Sequence, residues 1–369
     1  MDPSLAVAIV LVGAAAIAFE FGISSAIVEI FAGVVLAYFI ADIGSLDWLR
    51  FLANLGMLGL MFMAGFEVDV IRLRRTWRAS VAIGVCSLVF PMVGIFAVCF
   101  YGFDYGLKVS GLVAISLSTT SLALVYHALK DRGMLENDTG QALLAAASVV
   151  DVLSMVTLAL LLGEVGWGTA LFLLVVIPTV IGLPHLGKWV FSRYKGSLVE
   201  LELRFMLVLL VGMGFMAEKI GGIHPAIIAF GLGIVMSEVM EEHEALEEKL
   251  KGVVFSLFAP VFFLQAGAQL DIRLLTWDML GIALALFVVA CGLKFIGTAV
   301  PAQYLLKTNG RFVGLLFNYR LSFGIIAASV GLKIGVLTES FYAVILLIVM
   351  GSAALPVIFL HDRPAELDR

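Results

Sequence analysis

This sequence is short of charge. Only 14% of its 369 residues are Asp, Glu, Lys or Arg, while 62% are hydrophobic. A soluble domain carries about 25% charged and about 45–50% apolar residues, so a water-soluble globule is excluded. Cysteine is also scarce. Cys86, Cys99 and Cys291 all stand inside apolar runs, which reads as packing and not as a disulfide framework or a thiolate metal site. There is no phosphate-cradling glycine loop, no nucleophile elbow and no metal-spaced Cys/His cluster. His243-Glu244 does not open a metalloprotease motif, because Glu247 stands where its second histidine belongs. These absences argue against an enzyme, against a resident cofactor and against a nucleic-acid partner. The apolar runs are continuous rather than alternating, which argues against a membrane β-barrel.

What is present is a series of stretches long enough to cross a lipid bilayer, which takes about 20 apolar residues. Thirteen can be placed, roughly at 5–21, 23–41, 47–66, 78–101, 107–129, 140–163, 168–191, 199–219, 222–240, 252–270, 276–305, 311–332 and 337–360. The first has no basic residues before it and reads as a retained span, not a cleaved signal. Basic residues gather in alternate connections: Arg72, Arg74, Arg75 and Arg78; Lys130 and Arg132; Lys188, Arg193 and Lys195; Lys249 and Lys251; Lys307 and Arg311. The intervening connections hold only Arg50, Lys108, Lys219, Arg273 and Lys333. Basic residues favour the cytoplasm, so the expected molecule is an all-α, multi-pass protein of a cytoplasmic membrane, with its N-terminus outside and its C-terminus inside. The charged stretch 238–251 reads as a solvated or interfacial helix. Pro225, Pro260 and Pro301 read as helix starts or kinks.

Three ionisable residues stand deep in these spans: Asp151, Lys294 and Arg320. A lone carboxylate at that depth is costly and marks a functional site. A carboxylate holds a proton or a hard cation, not both well, so Asp151 is the expected seat of exchange. Ser148 lies one helical turn before it on the same face. The fifth span contains LSTTS, and Thr119 and Thr120 there could add oxygens, along with backbone carbonyls freed where hydroxyl side chains loosen the helix. Each hydroxyl has a plainer alternative, a bond back to its own helix. An oxygen-only shell suits Na+ or K+ rather than a soft transition metal. Lys294 and Arg320 either pair within the bundle or modulate the charge of the site. Glu29 and Glu218, near span ends, read as interfacial or packing acids.

The twelfth span is interrupted at NYRLSFG as the fifth is at LSTTS. The two lie seven spans apart, an odd offset, so the echo is inverted. Paired interruptions in inverted halves point to a transporter's midplane site.

At these residues the chain resembles the cation/proton antiporters, in the branch that holds the bacterial Kef and NapA proteins. The resemblance runs through VEIFAGVVL in the second span, LGMLGLMFMAGFEVD (Leu55 to Asp69), LSTTS, VVDVL, HPAIIAFGLGIVMSE (His224 to Glu238) and FAPVFFLQAGAQLD (Phe258 to Asp271). It implies thirteen spans in an inverted repeat with crossed broken helices at the fifth and twelfth, usually as a homodimer. Scaffold and dimerisation helices would come from 1–67 and 199–270, and a transport core from 78–193 and 276–361. The family's ion-binding aspartate maps onto Asp151 and its eleventh-span lysine onto Lys294. Exchange of Na+ for H+ would follow an elevator-like movement of the core, with K+ or Li+ as further candidate cations.

The chain departs from the pattern in two positions. Sodium-exchanging relatives with that lysine usually carry Asp before the aspartate, the Kef proteins carry Gln and other relatives carry Asn, and here Val150 stands there. Relatives with an arginine like Arg320 often carry a glutamate at the position of Ala146. With one acid, the simplest cycle swaps one proton for one monovalent cation and is electroneutral. The alternatives are K+/H+ exchange or gated K+ efflux of Kef type, a sodium-coupled symporter binding an organic anion at Lys294 and Arg320, and a non-transporting sensor.

Overall fold

The computed structural model describes residues 2–21, 23–40, 43–67, 76–135, 137–163, 200–221, 224–240, 244–270 and 272–360, with scattered positions between 174 and 194. Among these residues every regular element is helical. Each expected span except the seventh coincides with a helix or a pair of half-helices; the seventh, 168–191, falls largely outside the described residues. Among the described residues, seven helices are long and apolar enough to cross a membrane.

The chain divides into two units, 1–68 with 162–269 and 69–161 with 270–369. The boundary at Leu162 lies inside the stretch 78–193 that the sequence reading gives to the core.

The first unit holds α1 (Pro3–Phe21), α2 (Ser25–Phe39), α3 (Asp47–Phe66), α8 (Leu201–Met216), α9 (Pro225–Met240), α10 (Glu244–Val253) and α11 (Ala259–Ala268). Its closest packing comes from glycine. A Cβ on Gly65 of α3 would lie 2.0 Å from the Phe230 carbonyl oxygen, and one on Gly233 of α9 would lie 2.1 Å from that of Phe62. The same reciprocal contact joins α2 and α11: Gly33 meets the Leu264 carbonyl at 2.0 Å and Gly267 meets that of Ile30 at 1.9 Å. In all four helices an apolar residue precedes the glycine by three: Ile30/Gly33, Phe62/Gly65, Phe230/Gly233 and Leu264/Gly267. Without a hydrophobic drive between helices in lipid, such small residues let backbones approach and gain dispersion energy. Proline punctuates as expected: Pro225 opens α9, and Pro260 stands at the start of α11 directly after the π-helical turn Val254–Phe258. A residue without an N–H cannot close the regular ladder there.

Beyond the end of α3, Glu67 faces α10. Burial pushes its carboxyl up to about 7; Lys251 opposes that rise and Glu247 adds to it. Lys251 pairs with Glu247 and lies 5.7 Å from the Phe66 ring centroid. Between an unfolded value of 4.5 and about 7 the folded protein keeps a proton that the unfolded chain has lost. Stability therefore falls as pH rises through that window and levels off above it. Glu67→Gln should flatten the fall and raise the unfolding midpoint near pH 8 by about 2–4 °C. Thermal unfolding of both proteins across that pH range checks it; parallel curves would show that Glu67 ionises normally.

The second unit holds α4 (Trp77–Ala97), α5 (Leu107–Ser116), α6 (Leu122–Asp131), α7 (Asp138–Leu162), α12 (Trp277–Leu305), α13 (Gly310–Leu316), α14 (Ser322–Lys333) and α15 (Glu339–Leu360). The half-helices α5 and α6 make one interrupted span, and α13 and α14 make another. α4 packs between α7 and α12. A Cβ on Gly84 would lie 2.8 Å from the Ala146 carbonyl oxygen of α7, and one on Gly297 of α12 would lie 2.7 Å from that of Cys86. Ser80 donates to the Ala142 carbonyl at 3.1 Å, fixing the register of α4 on α7.

Candidate functional site

Both interruptions arise the same way. α5 ends at Ser116, and two residues on, the Ser118 hydroxyl donates back to the Ala114 carbonyl at 2.6 Å. α13 ends at Leu316, and two residues on, the Asn318 amide donates back to the Gly314 carbonyl at 2.8 Å. A polar side chain thus caps each half-helix and frees the next backbone groups. The freed groups meet across the two breaks. The Ser121 N–H donates to the Tyr319 carbonyl at 2.7 Å, and the Thr120 hydroxyl donates to that of Phe317 at 3.3 Å. Gly324 allows the crossing, since a Cβ there would lie 2.6 Å from the Ser116 carbonyl oxygen. All of residues 116–121 are buried.

Two basic side chains brace this crossing. Lys294, fully buried on α12, donates to the Ser118 carbonyl at 2.6 Å. That carbonyl stands just past the C-terminal end of α5, where the helix dipole favours positive charge. Arg320, also fully buried, donates to the Ala290 carbonyl at 2.6 Å and to Asn318 Oδ1 at 3.1 Å, with Cys291 Sγ 3.9 Å from its other terminal nitrogen. Its Nε has no partner. The Lys294 ammonium lies within electrostatic reach of Asp151 and of Arg320.

Asp151 sits in the middle of α7, 5% exposed. Near its far end α7 meets α5, with the Leu161 side chain against Gly111. Its first half shares a core with α6, including Leu143, Ala146, Leu122 and Val125. The break at 117–121 joins α5 to α6, so it runs alongside the middle of α7, at the level of Asp151.

The four expected oxygen donors differ in state. Asp151 is buried at mid-length of α7. Ser148 donates back to the Leu144 carbonyl at 3.2 Å, and Thr120 is engaged across the crossing. Thr119 Oγ1 is buried and has no partner. Two further hydroxyls share that condition, Ser87 on α4 and Ser154 on α7. Ser154 lies three residues after Asp151, so the spacing that singles out Ser148 applies to it equally. With Arg320 Nε, these are the buried side-chain polar atoms without a hydrogen-bond partner among the described residues, and all four stand in the second unit. A buried hydroxyl left unpaired costs about 1–3 kcal/mol.

A helical membrane protein with crossed interrupted spans and a buried acid beside them has known counterparts. The family model described as "Sodium/hydrogen exchanger, transmembrane" matches residues 6–361. The chain belongs to the sodium/hydrogen exchanger family. Among its relatives is a probable Na+/H+ antiporter of Methanocaldococcus jannaschii, 28% identical, with 92% of this chain and 90% of the relative covered. Another is the Na+/H+-K+ antiporter GerN of Bacillus cereus, 26% identical over 81% of this chain and 79% of the relative. The solved structure of the sodium proton antiporter MjNhaP1 from Methanocaldococcus jannaschii shares the fold, with a TM-score of 0.69 at 14% identity over 98% of this chain and 97% of that one. Within this family the present exchanger meets its departures in a simple way. Val150 and Ala146 are fully buried and apolar, and Lys294 and Arg320 donate to backbone carbonyls.

Proposed function

We propose that this protein exchanges Na+ for H+ across a cytoplasmic membrane, with Asp151 holding the cation and the proton in turn. The observation that carries the proposal is the buried Asp151 carboxylate at the level of the crossed breaks, with unpartnered hydroxyls on the surrounding elements. Thr119, Thr120 and Ser148 are the other donors of the reading. Ser148 and Thr120 would have to give up present bonds or offer only their remaining lone pairs. Lys294 and Arg320 set the local charge. The second unit, which carries the site, is the transport core. The first unit is the scaffold and the dimerisation element, and transport proceeds by elevator-like movement of the core. The N-terminus lies outside and the C-terminus inside. The oxygen donors suit K+ and Li+ as well as Na+, and the name of the GerN relative includes potassium.

The test is dissipation of a preset pH gradient in proteoliposomes on addition of Na+, K+, Li+ or choline. Na+ should collapse the gradient and choline should not; no response to any alkali cation refutes exchange. An uptake that needs an organic substrate and moves no protons in its absence would favour symport. With Asp151 alone titrating, each cycle swaps one proton for one cation. Solid-supported membrane recordings under a Na+ gradient should then show no sustained transport current, and a current reversing with the gradient would show that a second group carries charge.

A further inference from the structure

Several membrane-embedded hydroxyls in the second unit bond to their own helix. Ser116 donates to Leu112, Ser148 to Leu144, Thr157 to Leu153 and Thr298 to Lys294, in each case to the carbonyl four residues back. Ser154 stands in the same helix as Ser148 and Thr157 and does not. It is fully buried, so water in the membrane interface does not satisfy it. Its place on α7 says what it faces. Ser154 lies seven residues before Leu161, two turns along the same face. Leu161 packs on Gly111 of α5, and the paired spans run antiparallel. Two turns back from that contact, Ser154 stands at the level where α5 has ended at Ser116 and the break 117–121 follows. Thr119 Oγ1 is the unpartnered hydroxyl of that break. Asp151 completes the set one turn away on α7.

We infer that Ser154 and Thr119 are paired cation ligands that close the shell around the Asp151 carboxylate, and that Ser154 sets the size preference among alkali cations. The inference rests on the exchange reading above. Two neutral hydroxyls held on separate elements give a hard cation oxygen without further negative charge. They lose nothing on binding, since neither has a hydrogen bond to surrender. Selectivity among hard cations follows ligand number and cavity size. A small ion is satisfied by fewer oxygens than a larger one, so removing one ligand penalises K+ and Na+ more than Li+.

The experiment uses the full chain in proteoliposomes, with Ser154→Ala, Ser154→Thr and Thr119→Val read beside Asp151→Asn. Ser154→Ala should raise the apparent KM for Na+ about tenfold, the change that one lost ligand bond of about 1.4 kcal/mol gives, while the maximal rate stays within about twofold. The Li+ over Na+ preference should rise, and Ser154→Thr, which keeps the oxygen, should restore the wild-type ratio. Thr119→Val should shift KM the same way. A thermal melt with and without Na+ gives a readout free of transport: stabilisation by Na+ should shrink in Ser154→Ala while the ion-free midpoint holds. Unchanged KM, ion preference and Na+ stabilisation in Ser154→Ala would overturn the inference and leave the exchange reading standing. Retained exchange in Asp151→Asn would bring down both.

Discussion

Asp151→Asn should abolish Na+-driven proton movement while leaving the protein folded. The amide keeps the shape and one carbonyl oxygen of the carboxyl, so the packing of α7 against the crossing is conserved. What it loses is the charge and the titrating proton. Opposite charges 4 Å apart attract by about 4 kcal/mol at an effective dielectric constant near 20, so the cation's occupancy should fall by at least about a hundredfold. The proton half of the cycle disappears outright, because an amide does not exchange a proton in this range. The measurement is the pH-gradient assay with Na+, Li+ and K+, accompanied by a melting curve. Zero transport with an unchanged melting midpoint is the expected pair. Transport above about a tenth of wild type would remove Asp151 from the mechanism and return it to a packing role.

The second large effect concerns folding. Gly267→Leu should prevent assembly of the first unit. A Cβ at this position would stand 1.9 Å from the Ile30 carbonyl oxygen and 2.9 Å from the Ile30 Cα. Both are backbone atoms, so no flexible side chain can give way. Accommodating even the first carbon requires α2 and α11 to move apart by more than 1 Å, and that separation also strips the neighbouring contact of Gly33 on Leu264. Overpacking of this kind costs about 1–3 kcal/mol where a core can adjust and more where it cannot. The expected outcome is loss of the monodisperse peak in detergent gel filtration. Gly13→Leu is the control, since nothing lies within 4 Å of a Cβ there. A monodisperse Gly267→Leu protein would mean that the α2/α11 crossing is looser than described.

Much of this architecture is legible in the sequence, for a physical reason. Lipid forces backbone polar groups to be satisfied locally, so spans appear as long apolar runs and departures from them are conspicuous. The interruptions at LSTTS and NYRLSFG stand out because hydroxyls, an amide and an arginine are out of place there, and the helices do stop at Ser116 and Leu316. The stretches that carry the family resemblance in the first unit hold its crossing glycines: Gly33, Gly56 and Gly65, Gly233 and Gly267. The state of individual hydroxyls is not legible. Ser148 and Ser154 flank Asp151 by equal spacing, yet one bonds its own helix and the other has no partner. That difference depends on what each meets on the neighbouring element, and spacing within one helix carries no such information. The partner of Lys294 was equally hidden. With Val150 in place of a polar neighbour, the sequence offers Asp151 as its counter-charge, while its hydrogen bond goes to a main-chain oxygen 176 positions away.

The bond from the Ser121 amide to the Tyr319 carbonyl has a consequence for how such chains diverge. A tie between main-chain atoms is indifferent to the side chains that flank it. Positions 121 and 319 can therefore change identity while the knot where the two spans meet persists, and only proline at 121, which lacks the hydrogen to donate, would untie it. Distant members of this family could thus share the knot while sharing few of the letters that spell it.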